Sequence, residues 1–136
     1  MDLYGFIDGA CCHTLNLASA TWVLYSLPYD LASSGVVFIG PATNNIAEYQ
    51  AVIGLLNEAA SQDVHNLVVL VDSQLMVCHL NHVYTIRNLV LLRLFRRVCL
   101  LERSFEAITY RNIPRKDNAV VDSLENYILD RHIAHS

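Results

Sequence analysis

Four acidic residues stand inside short, recognisable phrases, and their types and settings point to one kind of chemistry. Asp8 closes Phe6-Ile7-Asp8, and Asp72 closes Val69-Leu70-Val71-Asp72 ahead of Ser73-Gln74. Glu48 lies in Thr43-Asn44-Asn45-Ile46-Ala47-Glu48-Tyr49, and Asp122 follows Ile113-Pro114-Arg115-Lys116-Asp117-Asn118. Two of these acids are expected at the ends of apolar strands and two near the starts of helices, an arrangement that gathers four carboxylates into one small volume. Carboxylates held together without compensation repel, and some take up protons. A hard divalent cation with oxygen ligands, Mg²⁺ or Mn²⁺, relieves that repulsion. The pattern reads as a metal-dependent phosphoryl-transfer site. For any one acid, a solvated strand end or a helix cap is the stronger reading; for four together, a shared site is.

The elements that must position these acids are legible in the apolar periodicity. Residues 3–8 form a short buried strand ending on Asp8. The stretches 21–27 and 35–40 are rich in β-branched and aromatic residues and are separated by Pro28, Asp30 and Ser33-Ser34, which gives three successive antiparallel strands. From Asn45 the period becomes helical through Tyr49, Val52, Ile53, Leu56 and Ala60, with Thr43, Asn44 or Asn45 as the cap and Glu48 in the first turn, where the helix dipole favours a carboxylate. Residues 66–72 form a near-continuous apolar run, as a central strand covered on both faces requires. A short helix over 74–80, a long one from Asn88 to Phe105, a strand over 107–113 and a last helix capped by Asp117 or Asn118 and running to about Arg131 complete the order. This β-β-β-α-β-α-α-β-α order predicts a single α/β domain over 1–136. Its five-stranded mixed sheet joins three antiparallel strands to parallel ones and is flanked by helices.

Composition bounds the rest. Hydrophobic residues make up 54% of the 136 and charged residues 16%, enough to bury a sizeable core. No apolar run reaches the length of a membrane span, so the expectation is a soluble, intracellular protein without membrane contact. Cys11, Cys12, Cys78 and Cys99 form no C-x-x-C pair, which fits neither a zinc ribbon nor a disulfide framework and implies a reducing compartment. Cys78 and Cys99 read as small buried apolar residues. Net charge is −4 with Lys116 the single lysine, unlike a free-standing nucleic-acid binder, although Arg87, Arg93, Arg96, Arg97 and Arg103 concentrate positive charge in one segment.

With these phrases in view, the chain resembles the type 1 ribonucleases H, nearest their reverse-transcriptase-associated and archaeal-like branch. The likeness rests on Asp8-Gly9-Ala10, on Thr43-Asn44-Asn45-x-Ala47-Glu48-Tyr49-x-Ala51, on Asp72-Ser73-Gln74-Leu75, and on Ile113-Pro114-Arg115-x-x-Asn118-x-x-x-Asp122-x-Leu124, in the family's order across residues 4–128. The resemblance implies the ribonuclease H-like fold and an endonuclease, of retroelement kinship, that cuts the RNA strand of an RNA/DNA hybrid with two divalent ions, Mg²⁺ or Mn²⁺, about 4 Å apart. It implies that Asp8 bridges both ions, that Asp122 holds the ion activating water, and that Glu48 and Asp72 hold the ion at the leaving 3′ oxygen, giving 5′-phosphate and 3′-hydroxyl products. Asn45 and Gln74 match positions touching the hybrid's minor groove, where 2′-hydroxyls mark the RNA strand. Thr43 matches one near a backbone phosphate, and Asn44 serves as a cap or a substrate contact. Arg115 stands where many relatives carry a histidine that assists product release.

Two departures from the pattern bear on activity. The glycine- and proline-rich loop that follows the first aspartate in relatives is replaced by Ala10-Cys11-Cys12-His13-Thr14-Leu15-Asn16, in which Asn16 is the residue left to reach substrate. The basic protrusion of some bacterial relatives is missing, which predicts weak, salt-sensitive hybrid binding. The helix from Asn88 to Phe105 carries more apolar residues than one core-facing stripe needs, as either a buried central helix or a surface for a second copy or a partner domain. These features keep an alternative open: a catalytically weak or silent ribonuclease H-like binding or scaffold module.

Overall fold

A computed structural model describes residues 2–12, 17–26, 30–82 and 85–114. Their elements are β1 (Asp2–Cys12), β2 (Leu17–Ser26), β3 (Asp30–Gly40), α1 (Asn44–Ser61), β4 (Asn66–Val71), α2 (Gln74–Leu80), α3 (Leu89–Glu102) and β5 (Ala107–Asn112). The strands form one sheet in the order β3-β2-β1-β4-β5, with β1–β2 and β2–β3 antiparallel and β1–β4 and β4–β5 parallel. This is the mixed sheet expected from the element order, with β1 central. The expected last helix lies outside the described residues.

Strand alternation assigns the faces of β1. Leu3, Gly5, Ile7 and Gly9 point toward α1: a Cβ added to Gly5 would collide with the Leu55 side chain, and one on Gly9 with the helix backbone. Tyr4, Phe6 and Asp8 take the opposite face, where the Phe6 and Tyr25 rings meet edge to face at 5.9 Å. On the helix side, α1 buries Ala47, Tyr49, Ala51, Val52, Leu55, Leu56 and Ala59 at the three- and four-residue spacing of a single stripe. Trp22 of β2 fills a slot between Gly35 of β3 and Gly54 of α1, where a Cβ on either glycine would strike the indole. These glycines let a large ring seat the helix on the sheet.

Three details depart from the sequence-based expectations. β1 does not stop at Asp8; its pairing with β2 continues to Cys12↔Leu17, because Ala10-Cys11-Cys12 contains no glycine or proline to break the ladder. Thr43 is the cap of α1, its Oγ1 accepting from the Ile46 N–H at 3.2 Å, so Glu48 lies beyond the first turn. The dipole effect, which fades within the first turn, contributes less there than expected. Thirdly, α3 is neither a buried central helix nor wholly a surface. Val98 is buried and Leu91, Leu94, Phe95 and Leu101 pack against the core, while Leu89 (71%), Val90 (49%) and Leu100 (52%) stay exposed. Asn88 caps this helix through its Oδ1 rather than belonging to it. Cys78 and Cys99 are half-buried free thiols, less enclosed than their composition implied.

Two buried phenols stand in the core, Tyr49 on α1 and Tyr110 on β5. Tyr110 Oη donates to Glu102 Oε2 at 2.9 Å, and burial, then the Glu102 charge, hold its pKa far above the usual tyrosine range. Tyr49 Oη has no hydrogen-bond partner, and burial pushes its pKa up to about 12 from 10.0. A pKa raised on folding means that the native state holds its proton more tightly, so this stabilisation is complete below pH 10.0 and is lost as pH rises toward about 12. Tyr49→Phe removes no hydrogen bond, so it is expected to leave stability near neutral pH almost unchanged and to flatten the loss of stability above pH 10. Urea denaturation at pH 8 and pH 11 measures both effects.

Candidate metal centre

The first carboxylate is placed by the centre of the sheet. Asp8 is only 5% exposed, and its Oδ1 accepts the Gly9 N–H at 3.0 Å. Asp72 comes from the neighbouring strand. The parallel β1–β4 ladder ends at Phe6↔Leu70, so two further residues along each chain bring Asp8 and Asp72 to equivalent positions. The end of β4 is held from the other side: the Val71 carbonyl accepts both the Ile113 N–H at 2.9 Å and the Asn112 side-chain amide at 3.1 Å. Asp72 is therefore released at a defined point, immediately after a clamped carbonyl. Ser73 then caps α2 by accepting from the Met76 N–H at 3.2 Å.

Glu48 arrives from α1, and Gly9 decides how close it comes. A Cβ on Gly9 would sit 2.5 Å from the Glu48 backbone nitrogen and 2.7 Å from both the carbonyl carbon and the Cβ of Ala47. Strand and helix therefore meet backbone to backbone next to Asp8, and only glycine permits that approach. The outcome is that carboxylate oxygens of Asp8, Glu48 and Asp72 all lie within 4.8 Å of one another.

Three oxygen donors at this spacing suit a hard divalent cation rather than a soft one. The donor set fits Mg²⁺ or Mn²⁺, which would be held by Asp8, Glu48 and Asp72 together. Of the four acids expected to converge, the structure brings these three together; Asp122, like Arg115 and Asn16, lies outside the described residues. Thr43, Asn44, Asn45 and Gln74 are all exposed, at the starts of α1 and α2. Because Thr43 does the capping, Asn44 and Asn45 are not needed for it. Gly9 and Asn112 were not singled out for these supporting roles by sequence reasoning. For Gly9 the signal was present, a glycine directly after a strand acid; for Asn112 there was none, since its partner is 41 residues away.

The comparisons with known proteins agree with this geometry. A family profile described as reverse transcriptase-like matches residues 6–127. Ribonuclease HI of Halobacterium salinarum is 32% identical over 128 residues, covering 94% of this chain and 64% of its own length. The crystal structure of RNase H1 from the same archaeon superposes with a TM-score of 0.90 at 31% identity, covering 96% of this chain and 99% of that one. The chain belongs to the type 1 ribonuclease H family. The Bifunctional protein Rv2228c of Mycobacterium tuberculosis is 35% identical over 92 residues, 68% of this chain and 25% of the mycobacterial protein. The chain thus spans less than two thirds of the length of these curated relatives. LC11-RNase H1, isolated from compost by a metagenomic approach and solved with an RNA/DNA hybrid, shares the ribonuclease H fold at a TM-score of 0.82 and 24% identity, covering 90% of this chain and 92% of its own.

The expected departure in the first loop takes this form in the structure: β1 and β2 remain paired for four residues beyond Asp8. Repulsion among the three carboxylates makes the metal-free site a local liability. Asp72→Asn removes one charge and is expected to raise the metal-free melting temperature by a few degrees, on the order of 1 kcal/mol, while abolishing the further rise that Mg²⁺ produces in the parent protein. Gly9→Ala is expected to do the reverse in the metal-free state, lowering the melting temperature, and also to weaken the Mg²⁺ response. Thermal unfolding with and without MgCl₂ distinguishes the two.

Proposed function

We propose that the protein is an endonuclease that hydrolyses the RNA strand of RNA/DNA hybrids with two divalent cations, Mg²⁺ or Mn²⁺. The observation that carries the reading is the meeting of Asp8, Glu48 and Asp72 carboxylate oxygens within 4.8 Å, in a chain of the ribonuclease H family. Bound divalent cations would supply Lewis acidity at the attacking and leaving oxygens of an in-line displacement at phosphorus. The chain's own part is to hold and orient. Asp8, on the central strand, would be held in common by the cations; Glu48 and Asp72 would serve on the side of the leaving 3′ oxygen, and Asp122 on the side of the attacking water. The products are then a 5′-phosphate and a 3′-hydroxyl.

Substrate contact falls to exposed polar groups at two neighbouring helix starts. Asn45 and Gln74 are assigned to the minor groove, where 2′-hydroxyls distinguish RNA from DNA, and Thr43 to a backbone phosphate. Asn44, free of capping duty, joins them, and Asn16 is assigned the same role. Arg115 is assigned to product release. The hybrid seen with LC11-RNase H1 supports the choice of substrate on a shared fold. Hybrids arise inside cells, so the reading carries an intracellular location with it. Among the described residues no helix is long and apolar enough to cross a membrane.

Cleavage of an end-labelled RNA/DNA hybrid at low salt tests the proposal. Cuts are expected in the RNA strand alone, with Mg²⁺ or Mn²⁺, falling to background with chelator or with Asp72→Asn. Cationic contacts to phosphate release counterions, so raising NaCl from 50 to 200 mM is expected to weaken hybrid binding about tenfold. A hybrid bound but never cut, under both metals, would instead establish the silent binding module.

A further inference from the structure

Thr21 lies directly across the β1–β2 ladder from Asp8. Directly opposed antiparallel partners share a sheet face, with their Cβ atoms about 4.5–5.5 Å apart. The strand order β2-β1-β4 then places Thr21 on one flank of Asp8 and the Asp72 end of β4 on the other. Thr21 is fully buried, 0% exposed, and its Oγ1 has no hydrogen-bond partner among the described residues. The next residues along this face are Val23, also buried, and Phe6, so the hydroxyl stands at the boundary between an apolar surface and the carboxylates.

A buried hydroxyl without a partner is a standing cost to the fold, and valine would fill the same volume without it. The ionised carboxylate next to it accepts hydrogen bonds only, and the threonine O–H is a rotatable donor. One Asp8 oxygen already accepts the Gly9 N–H, which fixes that end of the group. We propose that Thr21 is a positioning residue for Asp8: its hydroxyl donates to the Asp8 carboxylate when a cation occupies the site. The bond holds Asp8 in the orientation in which it shares the cation with Glu48 and Asp72. This inference rests on the metal-centre reading above and adds to it a residue outside the acidic set.

The test uses the full chain and MnCl₂ alone, with Mn²⁺ affinity measured by calorimetry and metal-free stability by urea denaturation. Thr21→Val is expected to bind Mn²⁺ about tenfold more weakly, the loss of one hydrogen bond to a charged group, while its metal-free stability equals or exceeds that of the parent. Thr21→Ser, which keeps the hydroxyl, should restore affinity to within about twofold of the parent. Thr21→Ala serves as a second hydroxyl-free variant whose smaller side chain cannot strain the strand. Unchanged Mn²⁺ affinity in both Val and Ala variants overturns the proposal, as does an equal loss in the Ser variant, which would assign the residue to packing. Asp8→Asn separates the two levels: if the parent protein shows no Mn²⁺ binding that this change removes, the metal centre itself is wrong, and the role of Thr21 falls with it.

Discussion

Repulsion among three carboxylates is the constraint on which the rest of this structure depends. Oxygens of Asp8, Glu48 and Asp72 within 4.8 Å of one another are unfavourable without a cation, so no local preference assembles them. They come together because each belongs to an element whose position is set by apolar packing elsewhere. Asp8 sits on the central strand of the sheet, Asp72 follows a parallel neighbour clamped at Val71, and Glu48 rides on a helix pressed against the same strand. The core holds a charge arrangement that the charges themselves oppose. That is how a rigid scaffold presents a preformed cluster of oxygen donors.

The closeness of strand and helix depends on glycines at different depths. Gly9 lets the β1 backbone touch α1 at Ala47 and Glu48, next to the site. Gly5 accommodates Leu55 about two turns further along the helix, and Gly35 and Gly54 make the slot for Trp22. Together they let α1 lie flat on the sheet, where a Cβ at any of these positions would lever it away. A displacement of less than a methyl group at Gly9 would be felt at Glu48, because close-packed interiors transmit strain rather than absorb it.

Charge on the rest of the surface qualifies the functional reading without contradicting it. A net charge of −4 disfavours a polyanionic substrate, while Arg87, Arg93, Arg96, Arg97 and Arg103 are exposed on and around α3, in a segment whose one acid is Glu102. The exposed Leu89, Val90 and Leu100 stand on that same helix. Its inward stripe through Val98 and Phe95 explains why it folds where it does, and only part of its apolar content is used in doing so.

Much of this was legible in the chain of residues. The periodicities, the cap of α1 among Thr43, Asn44 and Asn45, and the element order are local properties, written in spacings of two to four residues, and the sheet followed from them. The convergence of Asp8, Glu48 and Asp72 was legible for a different reason: each stands in a phrase whose residue types have few other uses together. What could not be read was whatever depends on residues distant in sequence. The continuation of β1 past Asp8 is set by its partner strand, and the clamp from Asn112 on Val71 spans 41 positions. The placement of Thr21 beside Asp8 is a register fact, since a slip of one residue would turn that hydroxyl to the other face. The sequence by itself determined which acids could share a site and which elements carry them; the tertiary structure decided how near three of them stand, because distance between elements is set by what packs between them, and here that is the absent side chain of a glycine.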